Sequence, residues 1–149
     1  MRKSWIIGSL LIAALFALSA CSIETEKEQE KEEKVNWAVR NEYKKDGKVL
    51  LSVAPDPYLS AGKPFGYLFH FTAAFDDFKG KELAIHAQHK ETGEKINVLP
   101  PEKIVEPSQG YSTLGRFTAT FAIPKSGLWR YELTLDGRFY ADVVLSVKE

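Results

Sequence analysis

Phe65-Gly66-Tyr67-Leu68-Phe69-His70-Phe71-Thr72-Ala73-Ala74-Phe75 is the stretch that decides the fold. Phe65, Tyr67, Phe69, Phe71, Ala73 and Phe75 fall on every second position, with Gly66, His70 and Thr72 between them. Side chains alternate across a strand, so this period of two describes a strand with one face on a core. The pattern returns twice near the C-terminus. Trp129, Tyr131 and Leu133 alternate with Arg130, Glu132 and Thr134, and Phe139, Ala141, Val143, Leu145 and Val147 alternate with Tyr140, Asp142, Ser146 and Lys148. Shorter candidate strands are Trp37 to Tyr43, Lys48 to Val53, Glu82 to Lys90, Lys95 to Leu99 and Arg116 to Ile123. Asp46-Gly47, Thr92-Gly93, Ser126-Gly127 and Asp136-Gly137 mark turns between them. No amphipathic helix is expected after Lys34.

Seven or eight short strands over residues 35–149 predict an all-β, immunoglobulin-like β-sandwich, with a small closed β-barrel as the alternative. The segment Pro124-Lys125-Ser126-Gly127-Leu128-Trp129-Arg130-Tyr131 supports the sandwich. A proline and glycine turn leads into an aromatic, alternating core residues and a final hairpin. Trp129 is expected in the corner position that tyrosine holds in related sandwiches. The hairpin raises a question of parity. A two-residue Asp136-Gly137 loop with unbroken strands would pair Tyr131 with Asp142 and put an acid on the core face. A three-residue loop, Leu135-Asp136-Gly137, is therefore expected. It pairs Leu133 with Phe139, Tyr131 with Ala141 and Trp129 with Val143, leaving an exposed Arg130–Asp142 pair outside.

The N-terminal 34 residues have a different composition. Arg2 and Lys3 precede a short apolar run from Trp5 to Leu18, which ends at Leu18-Ser19-Ala20-Cys21. The run is too short for a comfortable bilayer span, so residues 1–20 read as a signal peptide. Its last four residues resemble the lipobox of bacterial lipoproteins. That resemblance implies a diacylglyceryl group on the Cys21 sulfur, cleavage before Cys21, and attachment to the extracytoplasmic face of the cell membrane. An ordinary signal peptide with a chance cysteine, or a plain membrane anchor, is the alternative. Ser22 to Lys34 (SIETEKEQEKEEK) carries six glutamates and three lysines with Ile23 as its one apolar side chain. Residues 21–34 therefore read as the lipidated cysteine and a solvated linker, whose thirteen residues after Cys21 would reach about 45 Å when extended.

The chain also resembles an uncharacterised lipoprotein family of low-GC Gram-positive bacteria. Ala61-Gly62-Lys63-Pro64 running into Tyr67-Leu68-Phe69-His70-Phe71 carries the likeness, with Ser126-Gly127-Leu128-Trp129-Arg130 running into Asp136-Gly137. The resemblance covers roughly Tyr58 to Val147. It implies an immunoglobulin-like, membrane-anchored extracellular domain and carries no catalytic residue to transfer.

Composition narrows the function classes. Removing Arg2 and Lys3 with the signal peptide leaves 18 basic residues against 20 acidic ones. A nucleic-acid partner would call for a concentrated basic surface, and none is expected. Cys21 is the one cysteine, so no intramolecular disulfide forms and no thiol nucleophile is expected. Hydrolase elbows, zinc-protease motifs and phosphate loops do not occur in the sequence. No enzyme, cofactor or metal site is expected. His89 should share the apolar face of Leu83, Ile85 and Ala87 while His86 points the other way, with His70 on another strand, and all three are expected at the surface or an edge. Asp76 and Asp77 read as a solvated turn.

The best claim to function belongs to Pro100 to Gly115 (PPEKIVEPSQGYSTLG), a long aperiodic connection. Ser108, Gln109 and Tyr111 are the candidate contact residues, with Tyr58 at another end of the sandwich. A plain inter-sheet crossover with a short Lys103–Val105 edge strand is the simpler account, and the residues favour it. The function expected is a non-enzymatic binding module for a protein partner, held at the membrane by lipid. The alternatives are a small-ligand or metal-delivery lipoprotein, or an inhibitor of an extracytoplasmic hydrolase.

Overall fold

The computed structural model describes residues 35–149; the expected signal peptide (1–20), Cys21 and the expected linker (to Lys34) lie outside them. Eight strands follow in chain order: β1 (Glu42–Lys45), β2 (Lys48–Pro55), β3 (Pro64–Phe71), β4 (Glu82–His89), β5 (Lys95–Lys103), β6 (Phe117–Ala122), β7 (Gly127–Leu135) and β8 (Arg138–Val147). All pairings between strands are antiparallel, in two sheets ordered β1-β2-β3-β6 and β5-β4-β7-β8. The chain crosses between sheets after β3, β5 and β6. These crossings make the Greek-key order of an immunoglobulin-like sandwich, with β1 added at one edge.

Alternation builds the core as expected. Tyr67, Phe69 and Phe71 of β3 are buried, facing Trp129, Tyr131 and Leu133 of β7 and Ala141, Val143, Leu145 and Val147 of β8 in one apolar cluster. Each large side chain buried this way contributes about 1.5–3 kcal/mol. Tyr67 stacks on Phe121 with centroids 4.0 Å apart. Its hydroxyl lies 3.3 Å from that of Tyr131, so one phenol donates to the other inside the core. Trp129 takes the corner position. Its ring is fully buried and its Nε1–H donates to the Lys125 carbonyl at 2.9 Å, four residues upstream in the β6–β7 connection.

The β3 alternation stops sooner than its residues suggest. After Phe71 the chain enters a 3-10 turn, Phe75–Asp77, so Phe75 is only half-buried and Asp76 and Asp77 are exposed. Phe78 enters the core instead, edge-on to Phe71 and to Tyr140.

The final hairpin corrects the expected register. Its loop has two residues: Leu135 faces Arg138, and Asp136 and Gly137 both have positive φ, 49° and 72°. This geometry twists in the same sense as the strands it joins. Parity is restored by a bulge. Thr134 faces Phe139 and Leu133 faces Ala141, leaving Tyr140 as the extra residue. Tyr131 then faces Val143 and Trp129 faces Leu145. Phe139 turns outward onto Tyr43, and Tyr140 packs on Phe71 and Phe78.

Asp142 is outside the core but not exposed. The N-terminal segment crosses it: Arg40 and Val144 exchange backbone hydrogen bonds of 2.9 Å, after which the chain joins the other sheet as β1. Arg40 Nη2 and Arg130 Nε both donate to Asp142 Oδ2, at 2.7 and 2.6 Å, and Arg130 Nη2 also meets Glu132. The expected solvent-exposed pair is thus a largely desolvated cluster of two cations on one carboxylate. Of the expected strand Trp37 to Tyr43, the part up to Asn41 is accordingly a strap with one bridge at Arg40, and only Glu42 and Tyr43 lie in a strand, β1.

Candidate functional site

The β5–β6 connection is pinned at both ends by apolar side chains. β5 runs to Lys103, so the expected short Lys103–Val105 strand is absorbed into it, and Val105 is exposed. Ile104 turns inward, its N–H donating to the Lys81 carbonyl at 2.9 Å. Leu114 is buried at the other end, and its carbonyl accepts from Phe71 N–H. Between these anchors Ser108 to Tyr111 forms a turn closed by Tyr111 N–H on the Ser108 carbonyl, 2.9 Å. Gly110 stands at its third position with φ 79°, where a left-handed residue is required.

The return from this turn positions Arg116. The Arg116 N–H donates to Ser108 Oγ at 3.1 Å, and its Nη1 donates to the Tyr111 hydroxyl at 3.4 Å. The guanidinium carbon also lies 5.8 Å from the Tyr111 ring centroid, within cation–π range. Among the described residues it has no carboxylate partner. Gly115, just before it, packs on His70, whose Nδ1 lies 2.8 Å from the Gly115 carbonyl. A β-carbon at Gly115 would sit 3.2 Å from the same ring nitrogen.

Ser108, Gln109 and Tyr111 come together on one cleft of about 420 Å³, with Glu106, Arg116 and Thr118 also on its walls. A smaller apolar hollow of about 150 Å³ adjoins it, lined by Leu83, Leu99, Ile104, Leu114 and Phe117. The two share Glu106, Leu114 and Phe117. Tyr58 is not part of this site. It is 78% exposed in the β2–β3 loop, which is tied to Lys148 and Ile123 at the opposite end of β3. Arg116, Leu114 and Phe117 were not singled out by sequence, where Arg116 and Phe117 read as the start of a strand. The signal available was a cation directly after a glycine at the end of a long loop.

The histidines are dispersed. His70 and His86 are exposed, while His89 is buried, contrary to the surface placement expected. Its ring packs on Trp129 at 4.9 Å, with Nε2 3.0 Å from the Ser126 carbonyl and Nδ1 3.0 Å from Thr92 Oγ1. A carbonyl can only accept, so Nε2 carries the proton and Nδ1 accepts from the Thr92 hydroxyl. Hydrogen bonding at both nitrogens offsets the cost of burying the ring. Among the described residues no three His, Cys, Asp or Glu side chains converge as a metal site would need.

No family model and no curated protein matches the chain. Its fold is similar to the crystal structure of a "putative lipoprotein" from Bacillus anthracis, with 20% identity and a TM-score of 0.53. That likeness covers 77% of this chain and 88% of the other. A superoxide reductase (neelaredoxin) from Ignicoccus hospitalis is a more distant likeness, at 12% identity and a TM-score of 0.44, covering 66% and 78% of the two chains. The first is a shared sandwich fold. The second is too loose to bear on chemistry.

Proposed function

We propose that the chain is a lipoprotein, anchored through Cys21 at the extracytoplasmic face of the membrane, whose sandwich is a non-enzymatic binding module. The observation that carries the binding role is the cleft of the β5–β6 connection. There a pinned loop holds Ser108, Gln109, Tyr111 and Arg116, which has no carboxylate partner among the described residues, beside an apolar hollow. Clefts that combine apolar walls with a few fixed polar groups suit recognition. Ser108 Oγ and Tyr111 hydroxyl both serve as acceptors toward Arg116, which supports a positioning role for them over a nucleophilic one.

The anchoring half of the reading rests on Leu18-Ser19-Ala20-Cys21 and the apolar run before it. The Bacillus anthracis neighbour, itself described as a lipoprotein, is in keeping with it. Two acyl chains hold a protein stably where one binds marginally, because each buried methylene contributes about 0.8 kcal/mol. Intact-mass measurement of the membrane-derived protein tests the anchor. A chain beginning at Cys21 with a diacylglyceryl thioether is expected, and Cys21→Ala should leave the chain uncleaved and unlipidated. A free Cys21 thiol on the mature wild-type chain would contradict the assignment.

A further inference from the structure

Four sheet edges are available in this sandwich, and three are defended. The β8 edge is covered by Arg40 pairing at Val144 and by Ser60 pairing at Lys148. β5 carries Lys95, Pro100, Pro101 and Lys103, and its ladder with β4 is broken by register shifts. β1 is four residues long, carries Glu42, Lys44 and Lys45, and is bulged. Charges, prolines, bulges and short length are the devices that stop an edge from recruiting another strand. β6, Phe117-Thr118-Ala119-Thr120-Phe121-Ala122, has none of them. It pairs with β3 in unbroken register and with no other described strand.

The orientation of its backbone follows from the neighbours. The Ile123 carbonyl accepts from Gly62 N–H on the β3 side, and the Gly66 carbonyl turns away to Asp56 N–H. Alternation then directs the N–H and C=O of Thr118, Thr120 and Ala122 outward, away from β3. All three residues are exposed. The apolar hollow and the Tyr111–Arg116 pair lie at the start of this same strand.

We propose that β6 is a strand-addition site for an extended segment of another protein, one that carries a large apolar side chain followed closely by a carboxylate. The inference rests on the binding-module reading and specifies its partner. The backbone of the segment pairs with Thr118, Thr120 and Ala122. Its apolar side chain fills the hollow among Leu83, Leu99, Ile104 and Leu114, and its carboxylate meets Arg116, which stands beside that hollow and has no carboxylate partner among the described residues. Backbone pairing supplies affinity in this mode and side-chain pockets supply selectivity. A second copy of this chain fits less well. Paired edge to edge, two β6 strands would bring Thr118, Thr120 and Ala122 together on the solvent face, while the large side chains Phe117 and Phe121 stay packed in their own core and are not free to fill the hollow; β6 itself carries no carboxylate.

The test uses a random dodecapeptide library displayed on phage, selected on the full-length chain in detergent. The strongest peptide is then synthesised and measured on variants. Thr120→Pro removes one outward N–H, which an edge strand tolerates. Selected peptides should share an apolar residue followed by Asp or Glu. Thr120→Pro and Arg116→Gln should each weaken binding at least tenfold, Tyr58→Ala should not, and the amides of Thr118, Thr120 and Ala122 should gain exchange protection. If Thr120→Pro fails to fold, single N-methylation along the peptide gives the same readout on unaltered protein, with binding lost at alternate positions. Binding that depends on Arg116 but tolerates Thr120→Pro and every N-methylation would overturn strand addition and leave the cleft as a binding site. Binding indifferent to all of these changes would overturn the cleft as well. Dimers of the wild-type chain abolished by Thr120→Pro would overturn the proposal in favour of a second copy.

Discussion

Asp142 shows how much one side chain can be asked to hold. It accepts from Arg40 and Arg130 on the same oxygen while largely removed from water. Removing one partner of a desolvated ion pair leaves the others buried and unpaired, so Asp142→Ala should destabilise the domain by about 3 kcal/mol. Arg130 retains Glu132, whereas Arg40 keeps only the backbone carbonyls of Asn36 and Ala38. Chemical denaturation measures the loss, and hydrogen exchange should show it first at Arg40 and Val144. The core tyrosines give a second prediction. Burial raises Tyr131 and Tyr67 above the ordinary phenol value; their mutual hydrogen bond raises Tyr131 further and partly offsets the rise at Tyr67. Tyr140 is raised by burial and by the nearby Asp77 charge. The unfolded chain therefore releases these protons first, near pH 10, and the folded chain holds them. Stability should be intact below pH 10 and fall as pH rises beyond it. Phenolate absorbance of these three residues should appear together with unfolding in an alkaline titration, and Tyr131→Phe should reduce the steepness of that loss.

The β7–β8 hairpin makes the argument at the level of one element. Gly137 has φ 72° with open space where a β-carbon would stand, so a substitution there is opposed by backbone conformation alone. Gly137→Val should cost about 1–3 kcal/mol, because a β-branched residue resists the left-handed region. A thermal melt checks this, and Gly137→Asn should recover most of the loss. The alternation of Tyr131, Leu133, Ala141 and Val143 was legible in the sequence, as was the need for one extra residue to keep Asp142 off the core face. Its location was not. A loop of three and a loop of two plus a bulge satisfy the same parity, and the choice is made by contacts far away in sequence. Phe71 and Phe78 provide a place for Tyr140, and Tyr43 provides one for Phe139. The same limit explains Phe78 and Arg40, whose placement depends on partners that no local pattern names, whereas His89 follows the alternation of Leu83, Ile85 and Ala87. Ser108, Gln109 and Tyr111 were legible as a group because a long aperiodic loop is visible in a sequence. Arg116 was missed because its role arises from the turn folding back on it.

At the scale of the whole molecule, a domain without disulfides places its two loop ends at opposite poles of one aromatic core. One pole carries Tyr58 and Lys148; the other carries the β5–β6 cleft beside the undefended edge of β6. A binding module built this way should engage its partner from the second pole. Replacing Tyr111 with benzoylphenylalanine in the full chain, and Tyr58 in a parallel strain, allows photo-crosslinking in intact cells to compare the two poles directly. The account predicts a discrete adduct of defined mass from position 111 and none from position 58. No adduct at 111, or equal adducts from both, would contradict it.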